Sequence, residues 1–137
     1  MQYSNIATVT LNQAATIVES LIPLNLRPQF LWGAYGVGKS SIVRSIVASL
    51  SEQTGKPWGF IDARASQLDA VDPRGVPDLV DGRTVFALPD WLPRVERDGE
   101  QGILFLDEIL LGSLSVQSAL YQLINDRQLG DYVLPEG

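Results

Sequence analysis

Helix-spaced apolar positions mark three segments of the chain. The first predicted helix starts at Thr10, which with Gln13 has the spacing of a capping box, and it stops at Pro23. The second is predicted over residues 41–50, directly after a glycine-rich stretch, and the third is predicted to be capped by Ser115. Their apolar positions recur three or four residues apart, as on a helix with one buried face: Leu11, Ala14, Val18, Leu21 and Ile22; Ile42, Val43, Ile46, Val47 and Leu50; Val116, Ala119, Leu120, Leu123 and Ile124.

Short continuous apolar runs alternate with these helices and predict strands over 28–32, 58–63 and 102–106. The last run has four consecutive apolar residues, which is typical of a strand buried on both faces of a parallel sheet. Asp81-Gly82 is a favoured hairpin turn between apolar segments, and we expect a β-hairpin insert at about 72–90. Residues 94–100 are expected to form a charged turn or short helix end, and 127–134 a turn and a strand. The whole order of elements indicates one α/β domain over 1–137.

Residues Gly33–Ser40 read Gly-Ala-Tyr-Gly-Val-Gly-Lys-Ser, which is the G-x-x-x-x-G-K-[ST] phosphate loop. A predicted strand precedes it and a predicted helix follows it, so loop N–H groups and the helix dipole would converge on an anion. The motif therefore predicts a P-loop NTPase that binds a nucleoside triphosphate. The expected binding residues are Gly33, Ala34, Tyr35, Gly36, Val37, Gly38, Lys39, Ser40 and Ser41.

Two acids, Asp107 and Glu108, follow the apolar run at 103–106. The carboxyl ends of parallel strands meet at one edge of a sheet, so these acids would face the same crevice as the phosphate loop. Lys39 is expected to reach the β- and γ-phosphates, and Ser40 and Asp107 to hold Mg²⁺. Glu108 is then the carboxylate that would orient or deprotonate an attacking water, so Glu108 and Lys39 are the predicted catalytic residues.

Composition narrows the chemistry further. The 137 residues include no cysteine and no histidine, which excludes disulfides, thiolate metal sites and a histidine base. The net charge of −6 disfavours generic nucleic-acid binding through a basic surface. No apolar run approaches the roughly 20 residues of a membrane span, and no signal peptide is apparent, so the cytoplasm is the expected location.

With these motifs in place, the chain resembles the AAA+ ATPases, and among them the MoxR-type group and its phage-encoded relatives. The resemblance covers the chain after about residue 25, and its best-matched part is 103–109 with 116–127. The hairpin after Asp72-Pro73-Arg74-Gly75 is similar to the insert that interrupts the second helix in that group. The resemblance implies a three-layer sandwich, ATP as nucleotide, a homo-oligomeric ring, expected to be hexameric, and a protein client that the ATPase remodels or activates.

Two departures from the family pattern qualify this expectation. Leu110 stands where relatives have an asparagine, and the sequence ends at Gly137, before the sensor strand, the arginine finger and the helical lid of family members. In the family's sheet the sensor strand lies between the phosphate-loop strand and the Asp-Glu strand. We therefore expect a partial AAA+ core that hydrolyses ATP poorly, in which something fills this gap or the two strands pair directly.

Other interpretations stay open at this point. A phosphotransferase of the phosphate-loop kinase type and a non-catalytic, nucleotide-gated assembly module would both use the same loop. Asp62 and Arg64 could be a structural ion pair, a subunit contact near the nucleotide or a plain surface pair. Arg74 is either a turn residue or a contact to substrate or subunit. Arg127 is expected to be structural, and Tyr35 to shield phosphate from water or to fill space. The three tryptophans are expected to pack in the core or the hairpin: Trp32, Trp58 and Trp91.

Overall fold

The computed structural model describes residues 8–25, 27–69, 71 and 73–137. Asp72, with which the predicted insert begins, lies outside these residues. Across the described part of the chain, no helix has both the length and the apolar character needed to span a membrane.

Helices and strands alternate much as the apolar pattern predicts. The α-helices are α1 (Leu11–Leu21), α2 (Lys39–Thr54), α3 (Val95–Asp98) and α4 (Leu114–Asp126). The strands are β1 (Gly59–Arg64), β2 (Val76–Val80), β3 (Arg83–Ala87), β4 (Gly102–Asp107), β5 (Gln128–Leu129) and β6 (Tyr132–Val133). Short 3₁₀ turns cover Ile22–Leu24, Ala65–Gln67 and Ile109–Leu111.

A parallel strand pair stands at the centre of the fold. β1 and β4 pair in register from Gly59 opposite Gly102 to Arg64 opposite Asp107. Parallel strands need a crossover between them, and here the chain between β1 and β4 includes the hairpin and α3. The predicted α/β class is confirmed, and the carboxyl ends of both strands lie at one edge of the sheet.

Helices cover both faces of this strand pair, giving three layers. Ile103 of β4 packs with the α1–α2 cluster, which is built on Val18, Ile46 and Leu50. Leu104 and Leu106, whose side chains alternate with Ile103, pack against clusters formed largely by α4 on the other face. The buried residues of these two clusters include Val116, Ala119, Leu120, Leu123, Leu92 and Tyr132. The prediction of a strand buried on both faces therefore holds in part, because helices pack against both faces of β4 but each of its six residues stays partly exposed.

The strand predicted over 28–32 is wrong. These residues carry no strand assignment, because no described segment forms a ladder with them. These residues and those of β4 both line an open groove of about 990 Å³. In the described chain neither expected solution to the gap is found: the groove holds no strand, and the segment does not pair with β4. Trp32, predicted to be packed, is 81% exposed.

Two helix boundaries also differ from the sequence prediction. α2 begins at Lys39, before the predicted start at residue 41, and continues beyond the predicted end at residue 50 to Thr54. Gly55, with φ of 64°, ends the helix as its C-cap. α4 is capped by Ser113 and not by Ser115, since the Ser113 hydroxyl accepts a bond from the Val116 amide.

The hairpin insert is confirmed as β2 and β3, paired antiparallel. Asp81 and Gly82 both have positive φ, of 50° and 74°, as a type I′ turn requires. Every residue of the two strands is exposed, including Leu79 at 73%. Beyond α4, the predicted turn and strand form a small hairpin of two strands, β5 and β6. The capping box at Thr10 and Gln13 and the helical turn α3 are confirmed.

Candidate functional site

The phosphate loop connects the 28–32 segment to the N-terminus of α2. Gly36 and Gly38 have φ of 72° and 93°, a region that side chains disfavour, so the two glycines let the loop curl over the helix end. Gly38 is the N-cap of α2, and no side chain caps this end. The first-turn amides of a 16-residue helix thus face the loop, which is the arrangement that favours a bound phosphate.

The Lys39 side chain stabilises the curved loop through hydrogen bonds to its backbone. Its Nζ donates to the backbone oxygens of Gly33, at 3.0 Å, and of Ala34, at 2.9 Å. An ammonium group has three N–H donors, so these two bonds leave one for a phosphate oxygen. The ammonium group of Lys39, the predicted phosphate-binding cation, therefore lies at the phosphate loop.

Ser40 and Asp107 meet between the loop and the sheet. The Ser40 hydroxyl donates to Asp107 Oδ2 at 3.2 Å, although the residues are 67 positions apart. Asp107 is the last residue of β4, and its other oxygen accepts the Glu108 amide at 2.9 Å. The structure thus brings together the two predicted Mg²⁺ ligands, one from each half of the site.

Glu108 lies just past the end of β4 in a left-handed backbone conformation, with φ of 55°. Its carboxylate accepts bonds from two hydroxyls, that of Tyr35 at Oε1 and that of Ser66 at Oε2. These bonds, with Ser66 contributing most, hold the pKa of Glu108 below its usual value. The bond to Glu108 in turn raises the pKa of Tyr35. The Tyr35 hydroxyl is thus a hydrogen-bond partner of the predicted base, a contact that the sequence did not indicate.

Sequence reasoning missed Ser66. It lies in the 3₁₀ turn directly after β1, and β1 pairs with β4 so that Arg64 is opposite Asp107. The signal that could have indicated it is a polar residue just past the end of the neighbouring strand. Ser66 could not be assigned to the site from the sequence alone, because the pairing of these two strands and their register were unknown.

The lesser candidates have specific contacts. Asp62 forms an ion pair with Arg44 of α2, at 3.4 Å, and not with Arg64. Arg64 is exposed and helps to lower the pKa of Glu108 through its positive charge. Arg74 lies exposed in a turn. Arg127 donates to the Pro135 and Glu136 carbonyls, which supports the structural role predicted for it.

The donor set fits a magnesium nucleotide. The loop residues from Tyr35 to Ser41, with Asp107 and Glu108, line a cavity of about 200 Å³. Mg²⁺ takes oxygen ligands and is usually held by one or two protein groups plus phosphates and water. The hydroxyl of Ser40 and the carboxylate of Asp107 are such groups. In the described residues no cluster of three or more His, Cys, Asp or Glu side chains could hold a metal by itself.

Comparison with known proteins agrees with this geometry. The family model described as the AAA domain (dynein-related subfamily) matches residues 28–133, from the segment before the phosphate loop to the end of β6. No curated protein and no solved structure matches the chain. The match covers well over half of the sequence and includes the loop, the acid pair and the hairpin. The chain therefore belongs to the AAA family of ATPases, within its dynein-related subfamily.

Proposed function

We propose that this chain binds ATP with Mg²⁺ at the phosphate loop and hydrolyses the terminal phosphate. The observation that carries the proposal is the 3.2 Å bond between Ser40 and Asp107. It joins a loop residue at the start of α2 to an acid at the end of β4, and both are oxygen donors suited to one Mg²⁺. A glycine-rich turn with an unrelated surface acid would not produce this meeting.

The remaining residues have roles that follow from their positions. Glu108 accepts a proton from water as the water oxygen attacks the γ-phosphorus, and the bond to the bridging oxygen breaks to leave ADP and phosphate. Lys39 and the first amides of α2 stabilise the negative charge on the phosphate oxygens. Ser40 and Asp107 would hold Mg²⁺, which would supply positive charge to neutralise the phosphates. The loop residues from Gly33 to Ser41 surround the phosphates.

One pair of variants tests this assignment. With Lys39→Ala we expect ATP affinity to fall at least tenfold, because the loop loses its cation. With Glu108→Gln we expect ATP binding to remain while turnover falls at least a hundredfold, the usual size of a lost general base. Glu52→Gln, the same change at an exposed position of α2, is the matched control and should behave as the parent. ATP binding is measured by calorimetry and turnover by phosphate release.

Each other interpretation predicts a different outcome. Turnover unchanged in Glu108→Gln would contradict the role of Glu108. ATP binding without turnover in the parent would favour the nucleotide-gated assembly module. Phosphate transfer from ATP to a small acceptor, in place of phosphate release, would favour the kinase-type phosphotransferase.

We further propose that copies of the chain assemble into a ring, a hexamer, that acts on a protein client as MoxR-type relatives do. Family membership supports this proposal, and so does the fully exposed β2–β3 hairpin, which presents Val76 and Leu79 to solvent. Light scattering of Glu108→Gln with saturating ATP tests it. A mass of six chains is expected, and a monomer at all concentrations would contradict the ring.

A further inference from the structure

A bond between Tyr35 and Glu108 joins the two halves of the nucleotide site. Tyr35 belongs to the phosphate loop, and its hydroxyl donates to Oε1 of the carboxylate that follows β4. Apart from this contact the side chain is open to solvent, since the residue is 76% exposed. The hydroxyl therefore serves no packing role, and its position is set by the carboxylate.

Both partners of this bond line the cavity that the proposed substrate would enter. Tyr35 and Glu108 line the 200 Å³ cavity together with Lys39 and Asp107. A triphosphate bound by the loop, with an attacking water beside Glu108, has to fit into this same cavity.

Glu108 is held on its other side as well. Oε2 accepts the Ser66 hydroxyl, so both carboxylate oxygens are directed at hydroxyl groups of the protein. A base that takes a proton from water must turn an oxygen toward that water. Ser66 follows β1 and is fixed by the sheet, whereas Tyr35 is on the loop that contacts the nucleotide. Of the two bonds, the one to Tyr35 is the one that nucleotide can reach.

We propose that Tyr35 is a positioning residue that restrains Glu108 and that triphosphate binding releases it. The loop hydroxyl holds the carboxylate in the nucleotide-free protein, and the Tyr35–Glu108 bond opens when the phosphates enter. This inference rests on the proposed function, in which Glu108 accepts the proton of the attacking water. It adds that a triphosphate bound in the loop controls whether the Glu108 carboxylate is free to accept the proton of the attacking water.

The restraint has a consequence for affinity. ATP binding has to break the Tyr35–Glu108 bond, so removal of the hydroxyl should tighten binding. An exposed hydrogen bond of this kind contributes roughly a two- to tenfold difference in an equilibrium constant. For Tyr35→Phe we therefore expect the Kd and KM for ATP to fall two- to tenfold.

A double-mutant cycle separates this coupling from a general effect on the loop. Calorimetry gives ATP affinity for the parent, Tyr35→Phe, Glu108→Ala and the double variant, with Tyr121→Phe on the exposed face of α4 as the matched control. Tyr35→Phe is expected to tighten binding in the parent background and to have no effect in the Glu108→Ala background. Tyr121→Phe is expected to leave affinity unchanged in both.

Two results would overturn the inference. An unchanged or weakened affinity in Tyr35→Phe would mean that binding breaks no such bond. An equal change in both backgrounds would mean that Tyr35 acts on the nucleotide and not through Glu108. Neither result affects the proposed function, which is judged by turnover in Glu108→Gln. Failure of the parent itself to bind ATP would instead contradict both.

Discussion

Two apolar segments flank the same groove and have different structures. β4 is paired with β1 over six residues and packed by helices on both faces, whereas residues 28–32 form no ladder in the described chain and expose Phe30 and Trp32. Both segments lead directly into functional residues, Asp107 and Glu108 in one case and the phosphate loop in the other. The difference teaches that an apolar run becomes a strand when a neighbour accepts its backbone hydrogen bonds, whatever its own propensity.

The largest contrast is expected in packing. Leu120 is fully buried beneath β4, whereas Phe30 is 60% exposed in the unpaired segment. Leu120→Ala should lower the free energy of unfolding by about 2–5 kcal/mol, because it leaves a cavity in the core. Phe30→Ala should lower it by less than about 1 kcal/mol, because little packing is lost. Urea denaturation measures both, and equal losses would show that the two segments are packed alike.

The next contrast is the space that the backbone leaves for a side chain at a glycine in β4 and at one in the phosphate loop. A Cβ at Gly102 would lie 2.8 Å from the Gly59 carbonyl oxygen, because β1 and β4 approach closely where they begin. Gly102→Ala should therefore cost about 1–3 kcal/mol. A Cβ at Gly33 would come no closer than 3.8 Å to Val37, so Gly33→Ala should cost less than about 0.5 kcal/mol. A tolerated Gly102→Ala would contradict the register of the strand pair.

The paired region should also respond to acid. Arg97 lowers the pKa of Asp98, whose carboxylate also accepts the Arg94 amide beside the start of β1. This stabilisation is fully present above the unfolded-state pKa, near 3.8, and is lost as the pH falls through the lower folded-state value. Thermal unfolding from pH 5 to pH 2 should show the loss. Asp98→Asn should flatten this part of the profile, whereas an unchanged profile would mean that the Arg97–Asp98 pair contributes nothing.

The smallest effect is expected at Trp32, which is 81% exposed while Trp58 and Trp91 are partly buried. Trp32→Phe should change the free energy of unfolding by less than about 0.5 kcal/mol. It should nevertheless remove most of the emission that acrylamide quenches, because this side chain is the accessible one of the three. Quenching that persists in the variant would place the 28–32 segment inside the sheet.

Local signals in the sequence predicted most of the elements and the core of the site. The capping box, the Asp81-Gly82 turn and the apolar run before Asp107 each act through neighbours in the chain, and all three predictions are confirmed. The rule for parallel strands also led to the expectation that the phosphate loop and the acid pair lie on one edge. The Ser40–Asp107 bond agrees with that expectation, although residues 28–32, which the rule took as a strand, form none.

What the sequence could not supply depends on contacts distant in the chain. The absence of a ladder at 28–32 depends on which strand lies beside it, and no local pattern contains that information. The bonds from Tyr35 and Ser66 to Glu108 span 73 and 42 positions, and the bond from Ser66 depends on the pairing of β1 with β4. The cap at Ser113 was missed because Ser115, two residues later, is equally suited by residue type.

The central claim is that the phosphate loop and the end of β4 form one magnesium-nucleotide site. ATP affinity measured with and without Mg²⁺, in the parent and in Asp107→Asn, tests it most directly. The claim predicts that Mg²⁺ tightens ATP binding at least tenfold in the parent and by less than twofold in the variant, because Asp107 holds the ion with Ser40. An equal effect of Mg²⁺ in both proteins would contradict it.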